Sequence, residues 1–277
     1  MTVSAADVKR LRDTTGAGML DCRNALAEAE GDVERAIEIL RVKGAKGVGK
    51  REGRTAGKGL VIAVTPGDGR GTLLELACET DFVAKTPAFQ ELAAMVAELA
   101  HAQSAGEVAT VLTLTDGEGR TVQQLLDDAN AAMGEKVEVR RVAHMATGHL
   151  SSYVHKSDPG LPPSLGVLLA LDVDAADLGR DVAQQVAAMA PRYIVREEVP
   201  AAEVAAERRI AEDKAREEGK PEQAIGRIVE GRLTAYYRDT VLVDQAWVRD
   251  PSVTIGSLLA DRGATVTQMV RFKVGSS

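Results

Sequence analysis

The sequence predicts an α+β protein that begins with a small helical module. Short apolar-periodic segments separated by glycine turns fill residues 1–43. A strand, a turn, a second strand and a helix are indicated at residues 60–102, and the same order of elements returns at 150–190. We therefore expect two related subdomains, at residues 60–146 and 147–277, each an antiparallel sheet covered by helices.

The N-terminal residues 1–43 should form three short helices. Ser4 is placed to cap the first of them, and the glycine-containing turn at 15–18 ends it. Met19 and Leu20 follow this turn, and we expect one of them to be buried and the other to face outward. Three helices of this size bury only a small core, which is more typical of a partner-binding module than of an enzyme.

The stretch at 44–59 is expected to be a flexible linker, because it is rich in glycine and lysine and lacks apolar periodicity. Within it, the run from Gly44 to Lys50 matches the spacing of a phosphate-binding loop. However, Arg51 stands where such a loop needs Ser or Thr, and a helix rather than a strand precedes the run. A solvated tether is favoured over nucleotide binding or docking on an acidic or nucleic-acid surface.

Phe82 occupies the junction between a predicted strand and a predicted helix. Residues 72–77 are apolar enough for a strand, and Pro87 begins a long helical pattern, so Phe82 should lie in the polar turn between them. The local sequence favours tucking of this ring under the following helix. The alternative is that the ring is offered to a partner.

The second subdomain is predicted to carry an inserted pair of helices at about 195–243. These helices contain few large apolar residues, so we interpret them as an antiparallel hairpin projecting from the body, with a role in a subunit or partner contact. The remaining elements are predicted as a helix at 123–133, strands at 136–146, 150–155 and 165–171, a helix at 175–190, a short helix at 257–261 and a final strand at 265–274.

The composition is that of an ordinary soluble protein, with 45% hydrophobic and 27% charged residues. No apolar run is long enough to span a membrane, and the N-terminus lacks the pattern of a secretory signal. The net charge of −7 contrasts with residues 41–58, which hold seven Lys or Arg and one Glu. Because the rest of the chain is acidic, we do not expect direct nucleic-acid binding. Cys22 and Cys78, in apolar segments, indicate reduced thiols and a cytoplasmic location.

No catalytic or metal-binding pattern is evident. The four histidines lack the spacing of metal ligands, and no cysteine pair is available to join them. Cys78 lies in an apolar strand beside Glu79, which favours a buried structural thiol over a nucleophile. We therefore expect no metal, no cofactor and no covalent chemistry. The histidines are His101, His144, His149 and His155.

Two stretches carry a family resemblance. They are Leu11–Cys22, with the sequence LRDTTGAGMLDC, and Thr80–Lys85, with the sequence TDFVAK. They are similar to the two signatures of the bacterial elongation factor Ts family, the guanine-nucleotide exchange factors for elongation factor Tu in protein biosynthesis. The resemblance extends over nearly the whole chain. It implies a ubiquitin-associated-like three-helix module, a linker, two related core subdomains and a helical hairpin inserted in the second.

The resemblance also implies roles for individual residues. The segment Thr80–Val83 matches the one that dislodges Mg²⁺ from the nucleotide site of the partner; within it Phe82 would insert between partner side chains, and Asp81 would contact the switch side. Three positions match residues that pack on a helix of the partner GTPase domain, and three match contacts with another partner domain. The dislodging segment comprises Thr80, Asp81, Phe82 and Val83; the first set is Leu11, Met19 and Leu20, and the second is Met133, Gly134 and His155.

The leading hypothesis is therefore a cytoplasmic translation factor that promotes GDP release from elongation factor Tu and binds its GDP-bound and nucleotide-free forms. Whether it forms a homodimer within that complex stays open. One alternative is an adaptor that tethers proteins through its helical module. A more distant alternative is a thiol enzyme that uses Cys78.

Overall fold

The computed structural model describes residues 3–45 and 53–276. They form helices and small antiparallel sheets, which confirms the predicted α+β class. Residues 46–52, part of the linker predicted at 44–59, lie outside the described residues, and the domain boundaries stay a prediction. Two compact units are distinguished, the first made of Met1–Thr147, Ser152–Leu168 and Val270–Ser277 and the second of Gly148–Ser151 and Leu169–Met269.

Three helices form the N-terminal part of the first unit: α1 (Ala5–Thr15), α2 (Met19–Glu28) and α3 (Val33–Ala45). The Ser4 side chain caps α1 by accepting a hydrogen bond from the backbone N–H of Asp7, and Gly16 ends α1 in the left-handed conformation. The inward-facing side chains make one small core, which includes Val8, Leu11, Cys22, Ala25, Leu26, Ala36 and Leu40.

Met19 and Leu20 are both exposed, at 47% and 60%. The expectation that one of them would be buried is therefore wrong. Side chains lean toward the N-terminus of their helix, so those of Met19 and Leu20, the first two residues of α2, extend past the core. The first residue that α2 contributes to the core is Cys22.

The first sheet has the strand order β1–β2–β3, with both pairs antiparallel, and is made of β1 (Lys58–Val64), β2 (Gly71–Cys78) and β3 (Glu138–Met145). Every residue of the central strand β2 is buried. Among them is Glu75, whose carboxylate accepts a hydrogen bond of 2.7 Å from Nε of Arg141, its cross-strand neighbour on β3. A charge-assisted pair of this kind is what allows a carboxylate to lie inside the sheet.

Helices cover the first sheet and join it to the N-terminal helices. They are α5 (Pro87–Ala102), α6 (Val108–Thr113) and α7 (Val122–Met133), preceded by a one-turn helix, α4 (Asp81–Ala84). α5 packs on β1 and β2 through side chains such as Phe89 and Val96, and α3 packs against α7. Neither α4 nor α6 was predicted, because four and six residues are too few to establish a helical period.

The later elements follow the predicted order, beginning with β4 (His149–His155), β5 (Leu165–Leu171) and α8 (Ala176–Met189). The sheet that contains β4 and β5 has the order β4–β5–β8, where β8 (Val266–Lys273) is the final strand. A two-stranded sheet of β6 (Ala246–Trp247) and β7 (Asp250–Thr254) was not predicted, and α11 (Ile255–Asp261) begins two residues earlier than expected.

The predicted helical hairpin is present in the second unit as α9 (Ala201–Glu217) and α10 (Glu222–Thr240). Its core is thin, with Ala211 and Ala215 of α9 packing among Ile225, Val229 and Leu233 of α10. No described helix is both long and apolar enough to cross a membrane.

The base of the hairpin is held by the carboxylate of Glu203. It accepts hydrogen bonds from the hydroxyls of Tyr236 (2.6 Å) and Tyr193 (2.8 Å) and from the guanidinium of Arg192. Hydrogen bonds from Tyr236, Arg192 and Tyr193 lower the pKa of Glu203 to about 2. The carboxylate of Glu203 therefore stays ionised over the ordinary pH range. The hydrogen bonds that it accepts at the base of the hairpin are kept over the same range.

Candidate functional site

Phe82 projects from the short segment between β2 and α5, which we call the Phe82 turn (residues 80–84). Thr80 caps α4 by accepting a hydrogen bond from the N–H of Val83 (3.4 Å), and Thr86 caps α5 by accepting one from Phe89 (3.3 Å). Two caps six residues apart fix a tight change of direction. Val83 and Ala84 take up the inward side of the turn and are buried, whereas Phe82 is 67% exposed.

The exposure of Phe82 resolves the alternative left open by the local sequence. The ring is not tucked under α5, because Phe89, one turn into that helix, already fills the core and is completely buried. Large exposed aromatic rings are uncommon and often mark contact surfaces.

Two carboxylates brace the Phe82 turn from below. Glu135 accepts hydrogen bonds from both the backbone N–H and the hydroxyl of Thr80, at 2.9 and 2.5 Å. Glu79 accepts one from the backbone N–H of Lys136, at 2.7 Å. The chain before the turn and the chain after α7 are thus joined by reciprocal hydrogen bonds.

Charged side chains make two contacts at the Phe82 turn. Asp81 forms an ion pair with Lys58 at the start of β1, with Nζ and Oδ2 3.1 Å apart and both side chains about half exposed. In addition, the guanidinium carbon of Arg12 lies 4.7 Å from the centroid of the Phe82 ring, a cation–π distance.

A groove of about 560 Å³ runs between α1 and the Phe82 turn. Its exposed lining is mainly apolar, and its charged groups are three cations and one carboxylate. Such a surface suits an apolar segment that carries negative charge. The lining residues are Ala5, Lys9, Arg12, Asp13, Gly16, Met19, Phe82, Lys85, Thr86 and Pro87.

The N-terminal helices meet the core at Gly16. A Cβ at this position would lie 3.3 Å from Cγ of Met133 and 3.5 Å from Cγ2 of Val83. Gly16 also has φ of +73°, so a glycine is required here for conformation as well as for close approach. Residues from three separate stretches of the sequence, the turn after α1, the Phe82 turn and the end of α7, are therefore packed together.

The residues predicted to act on a partner differ in exposure, and Thr80 and Asp81 are intermediate. Met19, Leu20 and Phe82 are exposed, as are Gly134 and His155; Leu11, Val83 and Met133 are buried in cores. His155 lies on β4 and stacks on Tyr153, with ring centroids 6.2 Å apart. The buried residues can act on a partner only by supporting their exposed neighbours.

Arg12 and Glu135 are the functional candidates that sequence reasoning missed. Arg12 lies within the stretch Leu11–Cys22, and Glu135 follows Gly134, one of the predicted partner contacts. Yet nothing in the sequence joins Glu135 to Thr80, 55 residues away, or Arg12 to Phe82. Contacts over such separations depend on the tertiary fold.

A second polar cluster lies at the opposite end of β2. The hydroxyl of Thr72 contacts Nδ1 of both His101 (3.2 Å) and His144 (2.9 Å). Burial, aided by electrostatic interactions with His101 and Arg70 and opposed by Asp68, lowers the pKa of His144. Across residues 3–45 and 53–276, no group of three or more His, Cys, Asp or Glu side chains is arranged to hold a metal ion.

The two cysteines are buried and unpaired. Burial, reinforced by the negative charge of Glu135, raises the pKa of the Cys78 thiol to about 12, and Sγ donates a hydrogen bond to the carbonyl of Thr80 at 3.2 Å. A thiol in this state is a poor nucleophile.

The class that these features define is an α+β protein with an exposed aromatic ring on a braced turn beside a groove.

Comparison with known proteins identifies the family. The family model described as elongation factor TS matches residues 79–276. The chain is 54% identical over 273 residues to elongation factor Ts of Kineococcus radiotolerans, covering 99% of this chain and 98% of that protein. It is 52% identical over 274 residues to elongation factor Ts of Thermobifida fusca, covering 99% of each chain. The chain belongs to the elongation factor Ts family, whose members are nucleotide exchange factors in translation elongation.

Proposed function

We propose that this protein binds the GDP complex of elongation factor Tu and promotes GDP release by disturbing the Mg²⁺ and phosphate site. The observation that carries the proposal is the 67% exposure of Phe82 on a turn whose backbone is fixed from both sides. An aromatic ring held in this way can enter a partner without the chain first having to order itself.

The physical basis lies in the demands of Mg²⁺. This ion needs near-ideal octahedral geometry at about 2.1 Å, and in GTPases it bridges the nucleotide phosphates to the protein. A small displacement of the groups that coordinate Mg²⁺ therefore weakens the binding of both the metal and the nucleotide. In the proposal, Phe82 inserts between partner side chains and Asp81 contacts the switch side, while Thr80 and Val83 hold the two in place.

The N-terminal helices would act as a ubiquitin-associated-like docking module. Met19 and Leu20, both exposed, would pack on a helix of the partner GTPase domain, with Leu11 supporting them from the core. The exposed Gly134 and His155 would meet a second partner domain, and the buried Met133 would support Gly134.

Thermodynamic linkage limits what such a factor can do. If the factor weakens the binding of GDP to the partner 100-fold, then GDP weakens the binding of the factor to the partner 100-fold. This is a coupling free energy of about 2.7 kcal/mol. The factor then binds both the GDP-bound and the nucleotide-free partner and accelerates exchange in either direction. The direction of exchange is set by nucleotide concentrations in the cytoplasm, where the proposal places the protein.

The test is the release of fluorescently labelled GDP from elongation factor Tu with excess unlabelled GDP present. The expected result is a release rate that rises with the concentration of this protein and then saturates. Binding without acceleration would support the adaptor alternative, and the absence of both would overturn the proposal.

A further inference from the structure

Glu135 makes an unusual pair of hydrogen bonds to a single residue. Its two carboxylate oxygens accept from the N–H and from the hydroxyl of Thr80, at 2.9 and 2.5 Å. The same hydroxyl oxygen accepts from the N–H of Val83, at 3.4 Å. A chain of hydrogen bonds therefore runs from Glu135 through the capping residue into the helix that presents Phe82.

The position of Glu135 is itself fixed by the fold. It follows Gly134, which ends α7 in the left-handed conformation, and precedes Lys136, whose N–H is accepted by Glu79. α7 is anchored by the buried Met133, which packs at Gly16. The carboxylate thus extends from a rigid helix end to the Phe82 turn.

The Phe82 turn needs such support. A helix of four residues is too short to be stable alone, since helix nucleation is costly. Phe82 is mostly exposed, so its direction is set by the backbone of α4, which the cap at Thr80 controls. Holding that cap from outside fixes where the ring points.

We propose that Glu135 is a positioning residue for nucleotide exchange: it holds Thr80, and through it α4, so that Phe82 is presented to the partner in the productive direction. This inference rests on the proposed function, because it assigns a role within that exchange reaction. Glu135 acts through Thr80, and the ring of Phe82 makes the contact.

The positioning role predicts a division between rate and affinity. Without Glu135 the three N-terminal helices keep their own core, but Phe82 samples several directions. In Glu135→Ala we expect the maximal rate of GDP release to fall about tenfold, with the half-saturating concentration changed less than about threefold. Glu135→Gln keeps the size of the side chain and one acceptor oxygen, and its maximal rate should lie between those of Glu135→Ala and the wild type.

A double-mutant cycle with Phe82→Ala tests the mechanism directly. In the wild-type background this substitution should lower the maximal rate at least about tenfold. In the Glu135→Ala background, Phe82→Ala should lower the maximal rate by less than about a further threefold. The reason is that a ring without a fixed direction already contributes little to the rate. A merely structural role would instead give effects that multiply.

Asp116 provides a matched control in the same unit. Its carboxylate also braces a loop, accepting from the N–H groups of Glu118 and Arg120 at 2.9 Å each. Asp116→Ala should leave both the rate and the effect of Phe82→Ala unchanged. Circular dichroism checks the fold of each variant, and if Glu135→Ala does not fold, the same cycle is run with Glu135→Gln.

The inference is overturned if the Glu135 variants exchange at the wild-type maximal rate, or if their effects multiply with that of Phe82→Ala. Failure of the proposed function looks different, because the wild-type protein itself would then not accelerate GDP release.

Discussion

The guanidinium carbon of Arg12 lies 4.7 Å from the ring centroid of Phe82, so a side chain of α1 covers one face of the ring that α4 exposes. The contact joins the N-terminal helices to the Phe82 turn across the groove that both line. A ring with one face covered has fewer accessible rotamers than a free one. Arg12 therefore restrains the side chain, whereas Glu135 restrains the backbone that carries it.

We expect Arg12 and Phe82 to be energetically coupled. A double-mutant cycle of Arg12→Ala and Phe82→Ala, measured by urea unfolding, should give a coupling of about 0.5–1 kcal/mol, the size of an exposed cation–π contact. Arg10→Ala is the control, because Arg10 pairs with Asp7 on the same helix and should be additive with Phe82→Ala. A coupling equal to that of the control would show that the stacking is not maintained in solution.

The two phenylalanines at the junction should respond in opposite ways to truncation. Phe82→Ala should slow exchange about tenfold or more and change the free energy of unfolding by less than about 1 kcal/mol, because the ring is exposed. Phe89→Ala should cost about 3–5 kcal/mol of stability, because it empties a buried site. Thermal melts and GDP-release rates of both variants provide the measurement. A collapse of the Phe82→Ala melt would mean that its ring belongs to the core.

The thiol of Cys78 should be chemically inert in the folded protein. With a pKa of about 12, only about one molecule in ten thousand carries the thiolate near pH 8. Iodoacetamide labelling followed by mass spectrometry should therefore modify Cys78 only after urea is added. Cys78→Ala should exchange nucleotide within about twofold of the wild type. Fast labelling of the native protein, or loss of exchange without unfolding, would revive the thiol-enzyme alternative.

Stability should decrease on acidification through the histidine cluster. The pKa of His144 is lowered in the folded state, so the unfolded chain binds more protons, and stability rises with pH. The contribution is complete above the unfolded pKa of about 6.5 and is lost as pH falls from there toward the lowered folded pKa. His144→Asn, whose amide can replace Nδ1 at Thr72, should flatten the change in urea midpoint between about pH 5 and about pH 7.5. An equally steep change in this variant would assign the effect to other groups.

The parts of the fold that the sequence predicted are those with a strong local signal. α1 to α3 were predicted because glycine turns and apolar spacing mark them, and the β1–β2 hairpin because a glycine-rich turn separates two apolar runs. The sequence did not predict α4, α6 or the β6–β7 pair, because each of these helices and strands is six residues long or shorter. In such short elements, caps and tertiary contacts decide the conformation.

The candidate site was predictable only in part, for a related reason. The local sequence located the Phe82 turn but favoured burial of the ring, because it could not show that Phe89 occupies the core site. It also could not distinguish Leu11, which is buried, from Met19, which is exposed, since both are apolar residues of helices. The supports at Arg12 and Glu135 depend on contacts between distant segments.

The complete burial of β2 has a mechanical consequence. This strand is hydrogen-bonded along both edges and ends only two residues before the cap of α4. A displacement of Phe82 that moves the end of β2 must therefore distort a strand held by two ladders of hydrogen bonds. Under the proposed function, this anchoring favours deformation of the partner over deformation of this protein when Phe82 inserts.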